Sequence, residues 1–303
     1  MAILTRRLMD FSGRHCEQLQ LLFAQEVEVA FLTPAGTRCR GRLVRSDCSR
    51  TTLRVLQHRA FADGQRQREW SCRVVAAKIQ SQLKAARHYQ RHQAGVGPVI
   101  AQLQAALEQV EAATLEQVRG LEGSAAAAWF GLLGQLLVAP WQFTQRTRRP
   151  PRDRVNALLS LGYTWLLART VARCEAAGLE VNVGALHEYR PGRPSLACDL
   201  MEPLRVPAVD RWVLGLCNQG LVSSEDFLSE EGGIHLRPGR FAAILHLWEE
   251  HWHEQRQEVA LDEWLGQFTA WLREGSLRRR KTPRTEKLFD KVVNTFAHPP
   301  SGG

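Results

Sequence analysis

Apolar and polar residues change their period along this 303-residue chain. From Val27 to Phe31 they alternate with period two, and Pro34-Ala35-Gly36 follows with turn chemistry. Arg40-Gly41-Arg42-Leu43-Val44 and Thr51-Thr52-Leu53-Arg54-Val55 read as further short basic strands, and Glu17 to Phe23 before them as a short helix. From Arg68 the period lengthens. Cys72, Val75, Ile79 and Leu83 lie along one face of a helix that ends before Gly95-Val96-Gly97-Pro98. Beyond Pro98 the pattern predicts helices over 98–118, 122–139, 153–177, 196–219, 238–255 and 260–274, with no internal repeat.

The fold class expected from this pattern is α+β. A basic β-rich N-terminal domain over 1–66 leads through a connecting helix and linker (67–97) to an all-helical domain over 98–275. A loosely held basic tail occupies 276–303.

Charge sharpens the division. The chain carries 40 Lys and Arg against 31 Asp and Glu, a formal +9. Residues 1–91 alone hold a net +10, leaving −1 for 92–303, so a basic module precedes a nearly neutral one and polyanions are the expected partners. Seven scattered cysteines without a C-x-x-C pair argue against a zinc ribbon or disulfide framework and fit a reducing cytoplasm. The N-terminus lacks the apolar run of a secretory signal. The most lipid-like stretch, Ser124 to Trp141, is broken by Gly131, Gly134, Gln135 and Pro140 and reads as a buried helix, so no membrane association is expected.

Three regions could carry chemistry. Glu122 is expected to open the small-residue helix Gly123-Ser124-Ala125-Ala126-Ala127-Ala128, where neighbouring backbone can approach closely; an acid complementing the helix dipole fits the same position. In His187-Glu188-Tyr189-Arg190-Pro191-Gly192-Arg193-Pro194-Ser195-Leu196-Ala197-Cys198-Asp199-Leu200-Met201-Glu202, Ser195 is a plausible N-cap. A helix from there sets Asp199 and Glu202 three apart on one face, and the loop can fold His187 over them. An imidazole with two carboxylates suits a hard divalent cation, while Glu202 with Arg205 equally reads as a plain ion pair. The histidines of His246 to His253 lack ligand spacing, since His251 points away from His246 and His253. Arg146, Arg148, Arg149, Arg152 and Arg154 project from a Pro-stiffened turn suited to phosphate, or simply to solvent. Neither G-x-G-x-x-G nor a P-loop is present.

Three ordered strings, Glu122-Gly123-Ser124-Ala125-Ala126, Arg152-Asp153-Arg154-Val155-Asn156-Ala157-Leu158-Leu159-Ser160-Leu161-Gly162-Tyr163, and Leu186-His187-Glu188 through Pro194 to Arg205, closely resemble the CRISPR-associated integrase of the spacer-acquisition module, CRISPR-associated protein one. Leu53-Arg54-Val55-Leu56-Gln57 and Lys78-Ile79 extend the resemblance, which covers roughly residues 25–260. It implies an N-terminal β domain, a helical catalytic domain, and an Mg²⁺ or Mn²⁺ site carried by Glu122, His187 and Glu202 with Asp199 as the additional acid. Glu202 stands where the family often has Asp, Trp129 replaces a Tyr, and Ser81 replaces an Asn. Members usually begin with several extra strands, so the N-terminal domain is expected to be shortened.

The implied activity is metal-dependent transesterification of DNA. A foreign 3′ end would be joined into the CRISPR repeat, with associated endonuclease activity and DNA held by Arg54, Arg146–Arg154, Arg190 and Arg193. Homodimers with the small companion CRISPR-associated protein two are the implied assembly. The competing expectation is a non-catalytic DNA-binding scaffold of the same fold.

Overall fold

In the computed structural model of the chain, the structure describes residues 51–279 except positions 92, 149 and 231. Towards the N-terminus it describes three short strands and isolated positions near them. Strand β1 (Ala2–Leu4) pairs parallel with β2 (Val29–Leu32), which pairs antiparallel with β3 (Cys39–Leu43). Two of the expected strands are thus present, and the described positions 18 and 20–22 of the expected short helix are helical; most other residues before 51 and the tail from position 280 lie outside the described residues.

Thr51–Val55, expected as a strand, instead begins helix α1 (Thr51–Ala62). Its β-branched residues favour a strand locally, but Leu53, Gln57 and Ala60 are buried at helical spacing against the rest of the fold, and tertiary packing decides. Asp63 caps α2 (Gly64–Tyr89), accepting from the backbone N–H groups of Gln65 and Arg66. Val75, Ile79 and Leu83 are buried as the period predicts, with Cys72 half-buried.

Helix α3 (Val96–Val110) is followed by α4 (Leu115–Leu136), so the break falls at 111–114 and not at 119–121 as expected. The cause is a capping box: Thr114 accepts from the Gln117 N–H while the Gln117 side chain accepts from the Thr114 N–H. Glu122 therefore sits in the interior of α4, not at its head.

Helix α5 (Arg154–Ala176) starts on the Asp153 cap. The expected helix 196–219 is present as a broken rod: α6 (Ser195–Met201), a 3₁₀ turn (Glu202–Leu204), a π-helical stretch (Arg205–Asp210) and α7 (Arg211–Asn218). Next comes an antiparallel hairpin, β4 (Phe227–Glu230) with β5 (Gly233–Leu236), which corrects the all-helical expectation for this region. Gly233, at φ +116°, closes it; a Cβ there would stand 2.6 Å from the Pro150 side chain and the Pro151 carbonyl. Helices α8 (Phe241–Glu254) and α9 (Gln257–Arg279) complete the order. None of the described helices is long and apolar enough to cross a membrane.

Two apolar clusters form the core. One gathers α1–α4 and α9, the other α5, the broken rod, the hairpin and α8. In the first, the fully buried Trp70 ring lies 4.8 Å from Phe268, 5.1 Å from Trp271 and 5.3 Å from Trp264, so one α2 side chain anchors three turns of α9. Trp70→Ala is expected to cost about 3–5 kcal/mol and to release α9 before the rest of the chain. Denaturant midpoints together with limited proteolysis of α9 check this; cleavage that stays as slow as in the parent protein would refute it.

Candidate active site

The loop 178–194 between α5 and α6 has no regular structure, so polar clamps hold its backbone in place. Gln57 of α1 donates to the Glu180 and Val183 carbonyls at 2.8 and 2.7 Å and accepts from the Glu180 N–H at 2.9 Å. Gln67 of α2 donates to the Ala185 carbonyl at 3.0 Å. Arg119 of α4 brackets His187, its Nε donating to the Leu186 carbonyl at 3.0 Å and its guanidinium pairing with Glu188 at 2.7 Å.

Fully buried Asp199 completes the arrangement. Its carboxylate accepts from three successive backbone N–H groups, Ala185 at 2.6 Å, Leu186 at 3.1 Å and His187 at 3.0 Å, and meets His187 Nδ1 at 2.6 Å. A carboxylate at Nδ1 makes that nitrogen the donor and turns Nε2 away from Asp199. Nε2 lies 4.0 Å from Glu202 Oε1. The loop reaches Asp199 because residue 184 is glycine: a Cβ there would stand 2.8 Å from Asp199 Oδ2 and from the Ser195 backbone. Ser195, expected as an N-cap, makes no capping bond; its hydroxyl donates to the Glu188 carbonyl at 3.0 Å and accepts from Arg193 at 3.2 Å, closing the loop on itself.

Glu202, 2% exposed, pairs through Oε1 with Arg205 at 3.0 Å and through Oε2 with Lys78 Nζ at 2.7 Å. Burial pushes its carboxyl up, but the Arg205 and Lys78 cations override this and hold it well below the usual range. Lys78 also hydrogen-bonds Glu122, so one ammonium joins α2, α4 and the 3₁₀ turn. His187, Asp199 and Glu202 meet directly, and Glu122 joins them through Lys78. Among the described residues, no three His, Cys, Asp or Glu side chains stand at metal-ligand spacing, the His246–His253 stretch included.

Below this cluster, Asp210 is buried between Trp129, whose Nε1 donates at 2.7 Å, and the Tyr163 hydroxyl. Tyr163 lies between the guanidiniums of Arg205 and Arg146, 4.9 and 5.4 Å from its ring centre. Burial pushes the Asp210 carboxyl up to about 6, with the two hydrogen bonds offsetting only part of the effect.

The arginines divide by environment. Arg148, Arg152, Arg154 and Arg190 are exposed; Arg54 is half-buried, and Arg149 lies outside the described residues. Arg146 turns inward to Asn156 Oδ1 at 2.7 Å and Ser160 at 3.0 Å, and Arg193 is committed to the His187 loop. The residue pattern assigns no role to Lys78 and none to Arg119. The contacts of Lys78 span 44 and 124 residues, which no local pattern carries; Arg119, one turn before Glu122, carried a helical-spacing signal.

The family model described as CRISPR associated protein Cas1 matches residues 11–250. The chain belongs to the Cas1 family. It is 37% identical over 248 residues to CRISPR-associated endonuclease Cas1 3 of Thermus thermophilus, covering 82% of this chain and 71% of that protein. A second relative, CRISPR-associated endonuclease Cas1 2 of Rhodospirillum rubrum, is 43% identical over 152 residues, 49% of this chain and 44% of its own length. Among solved structures, a CAS1 protein from Thermotoga maritima superposes with a TM-score of 0.74 at 21% identity, covering 85% of this chain and 82% of that one. A casposase bound to integration product gives 0.68 at 24% (78% and 66%), and a Cas6-RT-Cas1–Cas2 complex 0.67 at 23% (85% and 30%). At these identities the superpositions establish the Cas1 fold.

Asp210 gives this Cas1 chain a pH signature. A carboxyl raised from 3.8 to about 6 binds a proton in the folded state that the unfolded chain releases, so its contribution falls as pH rises through that window. Chemical denaturation is expected to show wild type losing about 2–3 kcal/mol relative to Asp210→Asn between about pH 4 and pH 6.5. Parallel stability curves for the two proteins would refute the assignment.

Proposed function

We propose that this Cas1 chain is a metal-dependent DNA strand-transfer enzyme that joins the 3′ ends of short foreign fragments into the CRISPR repeat, with endonuclease activity from the same site. The observation carrying this reading is the Asp199–His187–Glu202 arrangement, in which Asp199 holds the imidazole at Nδ1 and turns Nε2 to 4.0 Å from Glu202 Oε1.

The donor set fits Mg²⁺ or Mn²⁺. Glu122, His187 and Glu202 supply two carboxylates and an imidazole, a mixture that suits Mn²⁺ and that Mg²⁺ also takes, and both carboxylates already gather around one buried cation, Lys78. These three residues would hold the ion; Asp199, spent on three N–H groups and Nδ1, would orient His187 and not ligate. When bound, the cation supplies Lewis-acid polarisation of the scissile phosphate and stabilises the leaving oxygen.

The rest of the work falls to the chain. Arg148 and Arg152 on the loop before α5, Arg154 at the first position of α5 and Arg190 on the His187 loop, all exposed, would contact phosphates with their planar forks. The β5–Pro151 contact, Ile234 N–H to the Pro151 carbonyl at 2.9 Å, would hold one of those loops in place. The clamps from Gln57, Gln67 and Arg119 would keep His187 from drifting as DNA enters. Sensitivity of binding to salt follows from such phosphate contacts. The assembly we propose is a homodimer with a small Cas2-type companion, supported by a structural neighbour within a Cas6-RT-Cas1–Cas2 complex.

The test replaces Glu122 or His187 by Ala in the full chain, with Mn²⁺ and a Cas2 companion. Joining of a labelled 3′ end is expected to fall at least about 100-fold while DNA affinity changes less than about threefold. Joining that survives either substitution sinks the proposed site. A wild-type chain that binds DNA but never joins it leaves the non-catalytic scaffold.

A further inference from the structure

The buried ammonium of Lys78 lies where the two acidic donors converge. We infer that Lys78 is the site's resident cation and that a divalent ion binds by exchange with it; this rests on the metal reading above. Lys78 is 4% exposed, bonded to Glu122 Oε1 and 2.7 Å from Glu202 Oε2. Those two carboxylates, from α4 and the 3₁₀ turn, would otherwise face each other across a largely desolvated gap, where an uncompensated charge is strongly destabilising. The ammonium therefore assembles three elements around one positive charge.

That placement excludes a simple addition of metal. A divalent ion held by the same oxygens would stand within a few ångströms of Nζ, and like charges at that separation repel strongly in a buried setting. The spacing agrees, because the acids meet Lys78 and not each other, and among the described residues no three donors stand at ligand distance.

The side chain, not the helix, is the part free to give way. One turn beyond Lys78, Ser81 donates to the Pro203 carbonyl at 2.6 Å and ties α2 to the turn that carries Glu202. Arg205, the other cation on Glu202, is a planar fork with its guanidinium over the Tyr163 ring, whereas Lys78 ends a flexible four-carbon stem.

The experiment titrates Mn²⁺ into the full chain, following the free-ion electron paramagnetic resonance signal and the shift in melting temperature. Lys78→Met removes the competitor and is expected to bind Mn²⁺ about tenfold tighter or better, with a larger metal-induced rise in melting temperature. Lys78→Arg leaves a cation that forks between carboxylates and yields less readily, and is expected to bind about tenfold more weakly. Equal or weaker binding by folded Lys78→Met overturns the exchange. If Lys78→Met does not fold, Lys78→Arg decides: unchanged or tighter binding overturns the inference. Absence of Mn²⁺ binding by the wild-type chain removes the metal reading and this inference with it.

Discussion

A carboxylate taken out of water must be met by donors or by cations, and the helical part of this Cas1 chain is arranged around three different answers to that demand. Asp199 is met by three backbone N–H groups and one imidazole nitrogen, and becomes a rigid hub. Glu202 is met by two cations, which hold it ionised against the effect of burial. Asp210 is met by two neutral donors that only partly offset desolvation, so it takes up protons far more readily than an ordinary aspartate. The same residue type thus serves as anchor, as fixed charge and as proton acceptor according to what faces it.

All three acids sit on the broken rod from Ser195 to Asn218, and its breaks have a sequence cause. Pro203 and Pro207 lack the N–H that an α-helix would use, and the backbone passes through 3₁₀ and π turns around them. The carbonyls of these two prolines accept side chains from flanking helices, Ser81 of α2 at 2.6 Å and His251 of α8 at 2.9 Å. Because a carbonyl only accepts, His251 must donate through Nε2, and burial also holds its imidazole towards the neutral form. The irregular segment is thereby fixed from both sides, which places Glu202 and Asp210 reproducibly although neither lies on a regular helix.

Some of this was legible in residue order and some was not. The steps from Cys72 to Leu83 gave the buried face of α2, and the spacing of Asp199 and Glu202 behind the Pro/Gly loop anticipated that His187 would fold over them. The start of α4 was misplaced, although Thr114 and Gln117 have capping-box spacing; the small-residue run after Glu122 was the more conspicuous feature and drew the boundary to itself. Thr51–Val55 misled for the opposite reason: its local preference was real, and contacts with distant helices overrode it. Lys78 and Gly184 were out of reach, since a buried cation is defined by the acids around it and a required glycine by the atom that a Cβ would strike. Both pieces of information exist only once the chain is folded.

The balance of rigidity and freedom around the candidate site follows from these contacts. His187 belongs to a loop, the kind of element most prone to drift, yet side chains from α1, α2, α4 and the loop itself bind its backbone on every stretch. Glu122 is carried by the interior of a capped helix, and Glu202 by a segment pinned to α2 through Ser81. With the acids and the imidazole held this firmly, adjustment to an incoming charge falls to the group on the longest flexible stem. A preorganised set of donors loses little entropy on gathering around an ion. In the folded chain the Lys78 ammonium keeps the repulsion between Glu122 and Glu202 in check, so the charge that makes these acids costly to bury is also what draws their helices together.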